Sequence, residues 1–172
     1  MALDWLNGCR TPLMDGRLSG AFVGVTLGTR PEQLYRAMME GTAFGLKWIV
    51  ETLREAGVPC RRFCASGGLP GKSPLLMQVY ADVLDARIRI PESNEPVALG
   101  AAILGCIAAG ASVTGYHSIS QAIHGMARWR EDLVYRPDLR ARKEYGRIYE
   151  LYRELGEGKG VVAGVMRGLR EM

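Results

Sequence analysis

Between Leu34 and Leu53 apolar or small residues recur every three or four positions (Leu34, Met38, Gly41/Thr42, Gly45, Trp48/Ile49, Leu53), while Glu32, Arg36, Lys47, Glu51, Arg54 and Glu55 lie largely elsewhere. That period is the signature of an amphipathic helix. Thr29-Arg30-Pro31-Glu32 predicts its start as a capping box with Thr29 as N-cap, and Gly57 with Pro59 predicts its end. Ahead of it, Gly20 to Leu27 has the β-branched and aromatic content of a strand, with Gly20 and Gly24 marking close packing or a bend. Residues 1–19 carry Asn7-Gly8, Thr11-Pro12 and Asp15-Gly16 with little periodicity, which reads as an irregular lead-in of turns. A domain seldom begins this way unless something precedes it.

Further on, a β-rich run from Arg61 to Ala65 leads into Ser66-Gly67-Gly68-Leu69-Pro70-Gly71-Lys72-Ser73 and then into an apolar helix to about Leu84. Ser73 fits its N-cap and Pro74 its first position, where the missing N–H removes no helical bond. Arg87 to Ile90 alternates as a short strand stopped by Pro91, and Glu95-Pro96 opens a helix from Val97 to Ala109 that Gly110 closes. Inside that helix Gly100 and Gly105 each cost roughly 1 kcal/mol against alanine, which predicts close backbone approach to a neighbour or ligand. The alternation of elements predicts an α/β domain in which strands 61–65 and 87–90 run parallel through a right-handed crossover. From Ala111 the texture turns helical. Ser118-Ile119-Ser120-Gln121 is a second capping box for a short helix ending near Met126, and Pro137-Asp138 opens a longer one. Its stripe of Tyr145, Ile148, Tyr149, Tyr152 and Leu155 reads as core packing, and the tail from Gly156 is helical in places. The division implied is residues 1–110 and a helical extension, 111–172, packed on the same domain.

At 172 residues, 48% hydrophobic and 23% charged, the chain has enough apolar material for one real core. The net charge of +4 is modest. The densest basic run, Arg136 to Arg147, is interrupted by Asp138 and Glu144, so it reads as a solvated helix face and not a nucleic-acid groove. Cys9, Cys60, Cys64 and Cys106 form no CxxC pair and have no histidine at metal-ligand spacing; they read as core or half-buried reduced thiols, with Cys60 and Cys64 sharing one strand face. The longest apolar stretch, Ala101 to Ala109, is too short to span a membrane and the N-terminus lacks a leader pattern, so the expectation is a soluble cytoplasmic protein without membrane partners.

Candidate chemistry concentrates at the 66–73 turn. Paired glycines after a strand let a ligand approach the backbone closely, and a following helix N-terminus favours anions; a tight βα turn without a ligand fits equally well. Gly71-Lys72-Ser73 matches the end of a P-loop, but Ser66 stands where that pattern needs glycine, and no apolar strand ends in an aspartate to hold Mg²⁺. A P-loop is rejected on that spacing. His117 and His124 have no carboxylate at triad or metal spacing and read as surface or packing residues. Asp82 and Asp85 share the end of a helix read as exposed, too poorly buried for an acid/base pair, and Glu40 reads as a salt-bridged structural acid. No nucleophile lies beside a base, and no catalytic or metal set is assigned.

Three blocks together resemble the carboxy-terminal domain of the FGGY carbohydrate kinases. Gly20-Ala-Phe-Val-Gly24-Val25 with Gln33-Leu34 and Ala37-Met38-Met39-Glu40 is similar to a family signature. Ser66 to Gln78 followed by Ala81-Asp82-Val83 is similar to its adenosine-binding turn and helix, and Val97 to Ala102 to the small-residue helix that follows. Ala2-Leu3-Asp4-Trp5-Leu6-Asn7-Gly8 with Arg10-Thr11-Pro12 points to the ribulokinase branch. The resemblance implies a truncated actin-like, ribonuclease-H-like ATPase domain, with ATP and Mg²⁺ as cofactors of the intact enzyme and a pentulose bound by an amino-terminal domain absent from this chain. Gly67, Gly68, Leu69 and Lys72 would meet the adenosine, while the phosphate loops and the catalytic aspartate precede this chain. The chain alone is then expected to be inactive. It is also expected to self-associate through sheet edges left by missing strands, with Gly20 to Leu27 as an edge strand separated from Arg61 to Ala65. The competing reading is a non-catalytic domain that packs against a partner protein.

Overall fold

The computed structural model describes residues 1–157 and 160–172. Its elements are, in order, β1 (Ala2–Leu3), β2 (Ala21–Phe22), α1 (Pro31–Glu55), β3 (Phe63–Cys64), α2 (Gly68–Lys72), α3 (Pro74–Leu84), β4 (Ile88–Pro91), α4 (Pro96–Ala109), α5 (Ala111–Thr114), α6 (Ile119–Met126), β5 (Trp129–Tyr135), α7 (Leu139–Gly156) and α8 (Val161–Arg170). They form two compact units, one of Met1–Arg61, Gln78–Ala86 and Pro137–Met172, the other of Arg62–Met77 and Arg87–Arg136.

In the first unit α1 is present as expected, but its cap is Arg30 and not Thr29. Pro31 forces the residue before it into extended backbone, φ −102° and ψ 154° at Arg30, so the turn cannot begin a residue earlier. The Arg30 N–H donates to Gln33 Oε1 at 2.8 Å, and the Thr29 hydroxyl instead accepts the Thr26 N–H at 2.9 Å. The buried face is centred on Ala37, Gly41, Phe44 and Trp48, with Leu53 left exposed. Gly41 is required there: a Cβ would lie 2.7 Å from the Ala2 carbonyl oxygen, so α1 crosses β1 closer than any side chain allows.

The expected strand from Gly20 to Leu27 shrinks to two residues. β2 pairs antiparallel with β1, Ala2 opposite Phe22 and Leu3 opposite Ala21, and the Val23 N–H adds one bond to the Met1 carbonyl. Strand length is limited by the partner, and β1 offers two residues. Beyond it Gly24 turns at φ 80° and Val23, Val25 and Leu27 are exposed. The core gathers Leu3, Trp5 and Leu18 with Phe44 and Trp48 of α1, Tyr145, Tyr149 and Tyr152 of α7, and Ala163 and Met166 of α8. The tyrosine stripe is core packing, as expected: Phe44 and Tyr152 ring centroids lie 5.4 Å apart. α7 begins where predicted, with Asp138 Oδ1 accepting the N–H groups of Arg140 and Ala141 at 2.8 and 2.9 Å.

In the second unit β3 and β4 pair in parallel, Phe63 with Ile88 and Cys64 with Arg89, as the alternation of elements predicts. The third strand was not foreseen. β5 joins β4 antiparallel, Ile88 opposite Tyr135, so the 111–172 region is not wholly helical. Its residues Trp129-Arg-Glu-Asp-Leu-Val-Tyr hide the strand period because β5 is a charged edge, exposed over its first four residues. α6 is capped as expected, the Gln121 N–H donating to Ser118 Oγ at 3.3 Å, though the Gln121 side chain returns to the His117 N–H. α4 corrects an expectation: only Ile103 is buried, and nothing lies within 4 Å of a Cβ built on Gly100 or Gly105, so tight packing does not account for those glycines. The four cysteines are free; Cys9 is buried, Cys64 is exposed, and Cys60 lies outside the strand it was expected to share with Cys64. Among the described residues no single helix is long and apolar enough to cross a membrane.

Candidate functional site

The parallel ladder runs one bond past β3, the Ala65 N–H donating to the Arg89 carbonyl at 3.0 Å. At Gly67 the backbone takes φ 91° and ψ −163°, a region essentially reserved for glycine. From there the chain winds at once into α2. The predicted strand, glycine turn and helix are therefore strand, short helix and helix, with Pro70 buried inside α2 and the Ser73 N–H closing on the Leu69 carbonyl at 3.0 Å. Ser73 then caps α3 as expected, its Oγ accepting the Leu76 N–H at 3.4 Å.

This geometry corrects the anion reading of the turn. The N-terminus of α3 belongs to Ser73, and α2, at five residues, is too short to align a useful macrodipole at Gly67 and Gly68. What the turn offers is open backbone. Gly67 and Gly68 are exposed, and a Cβ built on Gly67 would have no atom within 4 Å. On Gly68 it would meet only Lys72 Nζ, at 4.0 Å. Leu69 is 61% exposed. The four residues singled out from sequence, Gly67, Gly68, Leu69 and Lys72, thus form one surface: bare peptide planes, an aliphatic side chain and a cation. Such a surface suits a flat ligand with an apolar face and polar edges better than a phosphate.

Parallel pairing brings a second segment to the end of the sheet where the turn lies. Because β3 and β4 run the same way, the turn after β3 and the segment after β4 emerge at the same end of the sheet, where open α/β sheets take their ligands. That segment is held by the Glu95 N–H donating to Ser93 Oγ at 3.2 Å and leads to an exposed Val97.

The other candidates have structural roles. Asp82, expected on an exposed helix, is buried, and its Oδ1 accepts from Gln78 Nε2 and from the Asp138 N–H, both at 2.8 Å. Asp85 pairs at the surface with Arg142 at 3.1 Å, so the two aspartates serve different partners. Glu40 is the paired internal acid expected, 2.7 Å from Arg36 Nε and accepting the Tyr145 hydroxyl at 3.0 Å. His117 and His124 are exposed. Among the described residues no group of three or more His, Cys, Asp or Glu is placed to hold a metal. The open glycine cradle leaves room for a flat ligand, and the described side chains do not make a Mg²⁺ site.

Residues 1–109 match the model of the C-terminal domain of the FGGY family of carbohydrate kinases. Over 172 residues the chain is 42% identical to a ribulokinase of Bacillus licheniformis, an alignment that covers 100% of this chain and 31% of that protein. The chain thus spans about a third of the length of the curated relatives it matches. It superposes on a ligand-bound xylulose kinase from Lactobacillus acidophilus with a TM-score of 0.80 at 24% identity, over 95% of this chain and 32% of that one. On a Plasmodium falciparum glycerol kinase with ADP the TM-score is 0.71 at 24% identity, over 90% and 30% of the two chains. The mixed α/β fold is that of these sugar kinases, and the chain belongs to the FGGY family of carbohydrate kinases, whose C-terminal domain it carries.

Proposed function

We propose that the chain supplies the adenosine side of the nucleotide site in an ATP-dependent, ribulokinase-like kinase. The observation that carries this reading is the unobstructed backbone at Gly67 and Gly68, flanked by Leu69 and Lys72, at the carboxyl end of a parallel strand pair. Adenine would lie against the two glycines and Leu69, with Lys72 as a polar contact beside the nucleoside. The whole enzyme would move the γ-phosphoryl group of MgATP in line to the terminal hydroxyl of a pentulose, in the cytoplasm. Such transfer rests on positioning, charge stabilisation and a base for the attacking hydroxyl, and no residue of this chain is assigned as that base. In this reading residues 1–110 are part of a truncated ribonuclease-H-like nucleotide lobe, and 111–172 extend it.

Amide shifts of the ¹⁵N-labelled 172-residue chain test the assignment. Adenosine and ATP are expected to move Gly67 to Lys72 with comparable affinity, and Gly68→Trp is expected to abolish both responses. ATP binding far more tightly than adenosine, or shifts confined elsewhere, refute it. The same chain with ribulose and MgATP is expected to release no ADP; turnover that disappears in Gly68→Trp would show catalytic groups within these residues.

A further inference from the structure

In the first unit α8 is apolar on two faces. One face, Ala163 and Met166 with Val162 partly covered, packs into the core. The other carries Val161, Val165 and Leu169, each one turn from the next and 84%, 56% and 60% exposed, where an exposed helix face is ordinarily polar. Gly164 and Gly168 lie beside Val165 and Leu169 on that same face, and a Cβ built on either would have no atom within 4 Å. Glycine is the poorest helix former after proline. Two of them inside a helix of 10 residues, with nothing near either one, have no packing reason within the monomer.

We propose that this face of α8 docks α8 of a second copy of the chain, the two helices crossing at Gly164 and Gly168. The contact is isologous, each copy offering the same ridge and the same notch. Val165 and Leu169 of one helix sit against the bare backbone at Gly164 and Gly168 of the other, since small residues four apart let helix backbones come close. Charge favours a copy of the chain over a charged partner. A surface that meets itself brings each charge near its like, and no charged residue lies on this stripe. The cations of α8 are turned to its own unit: Arg167 Nε lies 2.8 Å from Asp15 Oδ2, and Arg170 Nη2 donates to the Leu6 and Leu18 carbonyls at 3.5 Å. That engagement argues against a lipid surface, which needs basic side chains directed at headgroups. Area sets the strength. At 1.5 Å per residue α8 is about 15 Å long. A stripe of that length covers on the order of 400 Å² per copy, half the ≈ 800 Å² of a stable interface, so the dimer is weak and concentration-dependent.

Sedimentation equilibrium of the full chain tests this, in a Val25→Lys, Leu27→Lys background so that association through the β2 region does not contribute. The chain is expected to be monomeric at about 10 μM and to form dimers towards about 1 mM, the range of an interface this small. Nothing larger should appear, because a twofold contact closes on itself. Gly164→Ala and Gly168→Ala each place a methyl group in open space in the monomer but at the crossing in the dimer. The dissociation constant should therefore rise about tenfold or more while the urea midpoint holds or rises. Leu169→Glu, at an exposed position, should abolish the dimer by setting like charges face to face. In a mixture of ¹³C-labelled and unlabelled chain, NOEs between Val165 methyl groups and the Gly168 Hα of the other copy identify the crossing. A chain that stays monomeric at the highest concentration, unchanged dissociation constants in both alanine variants, missing NOEs in a populated dimer, or α8 amides that broaden on adding phosphatidylglycerol vesicles overturns the proposal.

Discussion

Gly41 and Gly45 stand one turn apart on α1, so replacing either with alanine adds the same intrinsic helix propensity, about 1 kcal/mol in favour of the folded chain. Their surroundings differ. At Gly41 the new Cβ would sit 2.7 Å from the Ala2 carbonyl oxygen, a backbone atom held in the β1–β2 ladder, whereas at Gly45 it would meet side-chain atoms at 3.4 and 3.7 Å. Relieving the first contact moves β1 off α1 by several tenths of an ångström, an overpacking cost of about 1–3 kcal/mol; the second needs no movement. Gly41→Ala is therefore expected to be neutral to destabilising by up to about 2 kcal/mol, and Gly45→Ala to stabilise by up to about 1 kcal/mol. The propensity term cancels in the comparison, leaving a difference of about 1–3 kcal/mol that reports the clash alone. Urea unfolding followed by tryptophan fluorescence measures it, since Trp5 and Trp48 both belong to this core. With a slope near 2 kcal/mol/M, the midpoints should separate by roughly 0.5–1.5 M. A Gly41→Ala midpoint equal to or above that of Gly45→Ala would refute the reasoning and place β1 elsewhere.

Two further expectations concern acid stability and association. The Arg17 backbone N–H, then the Arg167 and Arg17 guanidinium groups, hold the Asp15 carboxyl down at about 2. Its contribution to stability is therefore whole above the unfolded chain's value of about 3.9 and is lost as the pH falls towards about 2. Asp15→Asn should flatten the acid limb of the stability profile, and an unchanged limb would show that the contact with α8 carries nothing. Exposed Val23, Val25 and Leu27 beyond β2, with exposed Val97 and Leu104 on α4, leave apolar surface that favours association. Light scattering is expected to find oligomers that Val25→Lys and Leu27→Lys reduce. A monodisperse monomer with strong amide protection throughout Gly20 to Leu27 is the contrary result.

Local chemistry decided much of this protein, because many of its signals need no distant partner. Ser73-Pro74, Ser118 and Asp138 cap helices through bonds to residues two or three positions along, and the tyrosine period of α7 names its buried face whatever lies opposite. The glycine turn was legible in the same way: Gly67 adopts a backbone that side-chain-bearing residues avoid. The nature of its surface was not, because α2 forms between the glycines and the α3 cap and removes the helix N-terminus that favoured phosphate. Three things were decided only by tertiary structure. The length of β2 was set by a two-residue partner nineteen positions away, so its own β-rich sequence could not limit it. β5 drew its place from the free edge of β4, which overrode a charged sequence with no clear period. Finally, Asp4, Gly45 and Tyr152 come from three separate stretches of chain and have no shared motif; they meet because Gly41 lets α1 press against β1 while α7 packs Tyr152 into the core beneath Phe44 and Trp48.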